Sequence, residues 1–144
     1  MQTKLRKHIR SKNYDYCSNG YYFVTICSAD RERFLQKYKD DLGFVIKKIE
    51  WRFNGVKINY FSIMGNHLHI IFKNSLASLS QVVGTFKSLT TLKAKKQGFT
   101  KKRFWQPNYY EHVIRNESAL QKIQEYIENN PLAEKLKWEE LDCK

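Results

Sequence analysis

The chain has 144 residues, a formal charge of +12 and 42% hydrophobic residues, which is enough for one domain with a buried core. No apolar run approaches the ~20 residues that span a bilayer, and the basic N-terminus lacks the apolar stretch of a signal peptide, so the expectation is a soluble, cytoplasmic protein. Three cysteines (Cys17, Cys27, Cys143) without a CxxC pair argue against a disulfide framework and a zinc knuckle, and Cys27 reads as a small buried thiol.

The positive charge belongs to the body of the chain. Residues 1–110 hold 21 Lys and Arg against six Asp and Glu, whereas residues 111–144 hold five against eight. Two acid-free blocks stand out: Lys4, Arg6, Lys7, Arg10 and Lys12, and then Lys93, Lys95, Lys96, Lys101, Lys102 and Arg103. Each block alone reads equally as a solvated face. Two of them beside 21 aromatic residues favour a polyanion, because cations supply counterion release and aromatic rings stack on unpaired bases. Neither block has the large apolar face of a membrane-surface helix.

Residues 1–19 read as a basic arm. Tyr21 to Cys27, rich in β-branched and aromatic residues, predicts a strand. Leu42, Val45, Ile46, Ile49 and Phe53 recur at helical spacing and predict a helix over 40–53, ending near Asn54-Gly55. Val56 to Ile63 predicts a second strand with Val56, Ile58, Tyr60 and Ser62 on one face, then a turn at Gly65-Asn66 and a third strand to Lys73. Leu79, Val82, Val83, Phe86, Leu89 and Leu92 form the next helical stripe, opened by Ser78 or Ser80. A basic loop follows Gly98, then a strand over 109–114 and a last helix over 117–131, with Asn116 as its N-cap and Pro131 closing it.

The order β-α-β-β-α-β-α predicts an α+β, ferredoxin-like split βαβ fold. One antiparallel sheet carries two helices on one face, with an added C-terminal helix, in a single domain over 1–144.

The third strand contains His67-Leu68-His69. Alternation along a strand turns both imidazoles to one face, roughly 7 Å apart by strand rise, with Leu68, Ile70 and Phe72 on the other. Two such imidazoles need only one or two oxygen donors to hold a metal, although taken alone the pair reads as readily as polar decoration of a strand. On the last helix, Tyr126 and Asn130 are four residues apart and border the Leu120/Ile123/Ile127 stripe. They read either as a boundary aromatic and a C-cap, or as a nucleophilic phenol and an oxygen ligand turned toward the histidine surface.

Taken together, several ordered motifs decide between these readings. Tyr21 to Cys27 followed by Asp30-Arg31, Met64-Gly65-Asn66-His67-Leu68-His69, Trp105-Gln106-Pro107, Tyr110 to Asn116, and Tyr126-Ile127 with Asn129-Asn130-Pro131 resemble the HUH single-tyrosine transposases over residues 9–135. The resemblance is in particular to the REP-associated tyrosine transposases. The resemblance implies that His67, His69 and Asn130 hold Mg²⁺ or Mn²⁺. It implies that Tyr126 cleaves single-stranded DNA at a hairpin or palindromic repeat, leaving a 5′-phosphotyrosine and a free 3′-OH. Family members work as monomers or as homodimers that exchange the tyrosine helix.

Tyr109 and Tyr110 then become structural or DNA-contacting, His112 a structural histidine and His8 a solvated arm residue. Gly65 stands where the family usually has proline or another residue, which predicts a looser turn. The rival from another class is a domesticated or inactive RRM-like nucleic-acid-binding module, but the third strand lacks that module's aromatic pattern. A two-histidine phosphoesterase would need two His-x-Thr/Ser motifs, which the chain does not contain.

Overall fold

The computed structural model describes residues 20–74, 77–114 and 116–129, with Asn129 described for its backbone alone. Asn130 and the arm residues Lys4, Arg6, Lys7, Arg10 and Lys12 lie outside the described residues. The elements are β1 (Gly20–Cys27), α1 (Lys39–Arg52), β2 (Lys57–Ile63), β3 (His67–Asn74), α2 (Leu79–Lys96), β4 (Tyr110–Ile114) and α3 (Glu117–Asn129). Two short 3-10 turns, Ala29–Arg31 and Leu35–Tyr38, join β1 to α1.

The four strands form one sheet in the order β2-β3-β1-β4, and every neighbouring pair is antiparallel. This is the expected split βαβ arrangement. Alternation along β1 sends Tyr22, Val24 and Ile26 into the main core with Leu68, Ile70 and Phe72 of β3, beneath the inward residues of α1 and α2. The opposite face carries Phe23 and Ile71, and α3 covers it through Ala119, Leu120, Ile123 and Ile127. Two apolar layers thus sandwich the sheet, and the third helix sits across from the first two.

Both connecting helices end where glycine takes a left-handed conformation, Gly55 at φ 89° and Gly98 at φ 103°, which a Cβ would strain. After Gly98 the chain returns across an aromatic cluster of Phe34, Tyr38, Phe99, Phe104 and Trp105. The Trp105 indole donates to Thr90 Oγ1 at 2.8 Å, and Gln106 N donates to the Cys27 carbonyl at 2.9 Å. The Trp-Gln-Pro motif is therefore stitched to the end of β1.

Three expectations are corrected. A bulge between Ile58 and Tyr60 breaks the alternation of β2: Ile58 packs with the α1/α2 core while Tyr60 packs on the α3 side, because one extra residue reverses the face of all that follow. Leu92 leaves the α2 stripe and is exposed, while Thr90 and Ala94 are buried. Ser78 occupies the α2 N-cap position, but its hydroxyl bonds Ser80 Oγ at 3.0 Å rather than the helix backbone.

The Gly65 turn is also tied rather than loosened. Gly65 O accepts from Leu35 N at 2.9 Å, Asn66 O accepts from Ser28 N at 3.0 Å, and Met64 N donates to His67 O at 2.8 Å. The missing side chain leaves room for the Arg33 guanidinium, whose atoms would lie 2.7–2.9 Å from a Cβ at this position.

Candidate functional site

The sheet register places the two histidines. His67 pairs across from Cys27 and His69 from Thr25 on β1, while Ser62 of β2 flanks His69 on its other side. Residues opposite one another in antiparallel strands share a face, so both imidazoles lie on the α3 face of the sheet with Thr25, Phe23 and Ile71. Both rings are buried, with centroids 4.9 Å apart and planes inclined at 67°.

Each imidazole is held through Nδ1. The Asn66 amide donates from Nδ2 to the Arg31 carbonyl at 3.3 Å, which turns its Oδ1 toward His67 Nδ1 at 2.9 Å. A carbonyl oxygen only accepts, so Nδ1 of His67 carries the hydrogen, which in the neutral ring leaves the lone pair on Nε2. Thr25 Oγ1 lies 2.9 Å from His69 Nδ1, and an accepting hydroxyl gives His69 the same tautomer. Burial, reinforced by His67, pulls the His69 pKa down to about 3, so the ring is neutral at physiological pH, as a metal ligand must be.

The Asp30-Arg31 pair builds this support. Both residues take left-handed φ values, 54° and 53°, unusual for side-chain-bearing residues. That turn aims the Arg31 carbonyl at Asn66, and Arg31 Nη1 reaches Cys27 Sγ at 3.5 Å.

Tyr126 is partly buried against the cluster that contains Phe23 and Ile71. Phe23 in turn stacks on His69, with ring centroids 5.0 Å apart. The C-terminal half of α3 runs beside β2, since Gln124 Nε2 donates to Asn59 Oδ1, and burial together with Glu128 pushes the Tyr60 phenol up. The tyrosine helix and the histidine pair thus occupy one face. Asn130 lies outside the described residues, and among those described no group of three or more His, Cys, Asp or Glu could hold a metal.

Tyr109 is buried in the α1/α2 core with Lys87 Nζ 5.8 Å from its ring centre, so of its two expected roles it takes the structural one. Half-buried Tyr110 pairs with Thr25, and half-buried His112 pairs with Phe23.

The second basic block divides by position. Lys101 pairs with Glu32, and Lys93 covers the Phe44 ring, whereas Lys95, Lys96, Lys102 and Arg103 project into solvent. Lys102 and Arg103 border two hollows, of about 440 Å³ and about 670 Å³, on either side of their loop. Because Gln106 is bonded to Cys27, this loop stands at the His67 end of the sheet.

Sequence reasoning missed Thr25 and Asn66 as supports. Asn66 carried a signal, as the polar neighbour of His67 in a turn; Thr25 carried none, because its contact spans 44 residues and depends on strand register.

A family model described as IS200-like transposase matches residues 16–130. A Haemophilus influenzae protein described as uncharacterized is 34% identical over 160 aligned positions, covering 88% of each chain. A solved REP-associated tyrosine transposase bound to a REP hairpin superposes with a TM-score of 0.70 at 24% identity, covering 86% of this chain and 73% of that one. A crystal structure from Deinococcus radiodurans R1, described as a candidate transposase, gives 0.59 at 19% identity, covering 83% and 95%. At these identities the two structures speak to the fold. Among the described residues no helix is long and apolar enough to cross a membrane.

Proposed function

The chain belongs to the IS200-like transposase family, and from that premise we propose that it is a metal-dependent single-stranded DNA endonuclease and strand transferase. It cuts at a hairpin or palindromic repeat through a 5′-phosphotyrosine on Tyr126. The observation that carries this reading is that the buried pair His67 and His69 shares one sheet face with the helix bearing Tyr126.

His67 and His69 would hold a Mg²⁺ or Mn²⁺ ion through Nε2, with the side-chain oxygen of Asn130 as a third donor. The donor set fits: the two rings lie side by side, oriented by Asn66 and Thr25, and His69 is held neutral by burial. When bound, the ion neutralises charge developing on the scissile phosphate.

Tyr126 loses its phenolic proton to solvent and its oxygen attacks phosphorus. The bond from phosphorus to the 3′ oxygen breaks, and that oxygen leaves as a 3′-OH after taking up a proton. In the reverse sense a second 3′-OH attacks the phosphotyrosine, restores a phosphodiester and releases Tyr126. The phosphotyrosine link keeps the bond energy, so no nucleotide cofactor is needed. Lys95, Lys96, Lys102 and Arg103, with the arm cations, grip the DNA backbone without reading sequence. The whole chain acts as one domain in the cytoplasm.

The test incubates purified protein with Mn²⁺ or Mg²⁺ and a single-stranded hairpin substrate, and maps the covalent adduct by mass spectrometry. Attachment at Tyr126, lost in Tyr126→Phe, is expected. Attachment to another tyrosine overturns the residue assignment, and hairpin binding without any adduct supports the inactive binding module instead.

A further inference from the structure

Among the described residues, the large apolar side chains most exposed are Phe44 (52%), Trp51 (89%) and Leu92 (58%). Phe44 and Trp51 are seven residues apart on α1, two turns along one stripe about 10 Å long. Lys47 and Lys48 fall between them on the same side, both exposed. Lys48 Nζ lies 5.4 Å from the centre of the Phe44 ring, and Lys93 reaches over from α2 to 4.8 Å from the same centre. Two ammonium groups from two helices thus lie close to one exposed ring.

Near Trp51 the acids of α1 do not cancel this charge. Asp40 and Asp41 stand in the first turn, where they complement the helix dipole, and Asp40 lines the groove beside Phe44 at the end of the stripe far from Trp51. Glu50 turns its carboxylate to the Ile58 amide, at 2.6 Å. The last turns of α1 therefore present Lys47, Lys48 and Arg52 around Trp51. Beside Phe44, a groove of about 610 Å³ between α1 and β2 is lined by Lys39, Lys47 and Phe61 among others.

We infer that this outer stripe of α1, completed by Lys93, is a second contact for single-stranded DNA, separate from the cleavage face. α1 and α2 cover the side of the sheet opposite His67 and His69, so the stripe cannot belong to the histidine site. Phe44 and Trp51 offer stacking platforms, and Lys47, Lys48, Arg52 and Lys93 pair with the phosphates between stacked bases. An apolar protein partner would strip water from the two ammonium groups over Phe44 without replacing it with charge. A strand of nucleic acid covers the rings and neutralises the cations together. The choice of DNA over RNA rests on the function proposed above; the stacking surface itself does not.

The test measures fluorescence anisotropy of a labelled oligothymidine of about 20 nucleotides, which has no hairpin, over a range of salt. The Phe44→Ala/Trp51→Ala variant is expected to bind about tenfold more weakly, while Phe44→Tyr/Trp51→Phe retains affinity because the stacking surfaces remain. Lys48→Gln/Lys93→Gln should lower the salt slope by about 1.4, the value for two phosphate contacts on a single strand. Phe44→Ala/Trp51→Ala should still form the covalent adduct on a short hairpin, and all surface variants should melt cooperatively by circular dichroism. Unchanged oligothymidine affinity in both double variants overturns the inference and leaves the cleavage reading standing. So does a wild-type dimer that becomes a monomer in Phe44→Ala/Trp51→Ala, which makes the stripe a protein interface. Stripe-dependent binding to phosphatidylserine vesicles in place of the oligonucleotide overturns it as well.

Discussion

Asn66 Oδ1 accepts a hydrogen bond from His67 Nδ1 at 2.9 Å, and the same amide is anchored through Nδ2 to the carbonyl of left-handed Arg31. The chain of contacts runs from a strained turn through one amide to the tautomer of one imidazole. A small change in Asn66 should therefore reach the proposed metal site without touching either proposed histidine ligand. Asn66→Ala is expected to weaken Mn²⁺ affinity by about 10- to 100-fold, the usual cost of removing a histidine's outer partner, and Thr25→Val should act in the same direction through His69. Calorimetric Mn²⁺ titration of the folded variants checks this. Wild-type affinity in both would mean that the rings are held by packing alone.

The parts of this arrangement that could be read from the chain are those set by local period. His67 and His69 share a face because every strand alternates, and Leu42, Val45, Ile46 and Ile49 face the core because they return at helical spacing. What could not be read arises from register and from single-residue irregularities. The bulge at Asn59 adds one residue and moves Tyr60 to the α3 side. The left-handed turn at Asp30-Arg31 contains no glycine to announce it. Thr25 meets His69 only because β1 and β3 pair in one particular register. The placement of α3 on the histidine face was conditional in the sequence, since its apolar stripe could dock on either face; Phe23, Ile71 and Ile114 supply the apolar surface that receives it.

The geometry of α3 bears on whether the site forms within one chain. Only residues 115 and 116 separate β4 from α3, and Asn116 caps the helix through Oδ1 to Ala119 N at 2.8 Å. The stripe Leu120, Ile123 and Ile127 is buried on the same chain's sheet. So short a connection favours docking in place over exchange with a second copy. Mixing Tyr126→Phe with His67→Ala/His69→Ala, under conditions where subunits exchange, is expected to leave cleavage absent. Restored cleavage would show a tyrosine of one chain working with the histidines of another.

Two glycines inside helices have no structural demand on them. Gly84 is exposed in the middle of α2 with nothing within 4 Å of a built Cβ, and a Cβ at Gly43 would meet the Phe61 ring at 3.9 Å, an ordinary contact. Neither takes a positive φ. Alanine at each site should therefore raise stability by about 0.5–1 kcal/mol, because it removes unfolded-state freedom and favours the helix. Thermal melts should shift upward by about 2–4 °C per kcal/mol for a chain of this size. A lower melting temperature for Gly84→Ala would reveal a backbone requirement that the packing does not show.

Lys87 offers a test of stability against pH. Its ammonium reaches in from α2 to donate to the carbonyls of Gln106 at 2.8 Å and Asn108 at 3.1 Å, pinning the segment that carries Trp105-Gln106-Pro107. Burial pulls its pKa from 10.5 down to about 8, against a smaller upward influence of Cys27. Between these two values the unfolded chain holds a proton that the folded chain has released, so this group makes stability rise with pH across that window. Below pH 8 both states are protonated and its unfavourable contribution is full and constant. Lys87→Met loses two hydrogen bonds at every pH but also loses the titration. Urea unfolding of the two proteins in parallel, from about pH 6 to about pH 10, should therefore give a stability difference that is flat below about 8 and then moves in favour of the wild type. Other lysines and tyrosines titrate equally in both proteins and cancel in the difference. A gap that stays constant through pH 10 would show that Lys87 keeps an ordinary pKa and that its contacts with Gln106 and Asn108 are made in water.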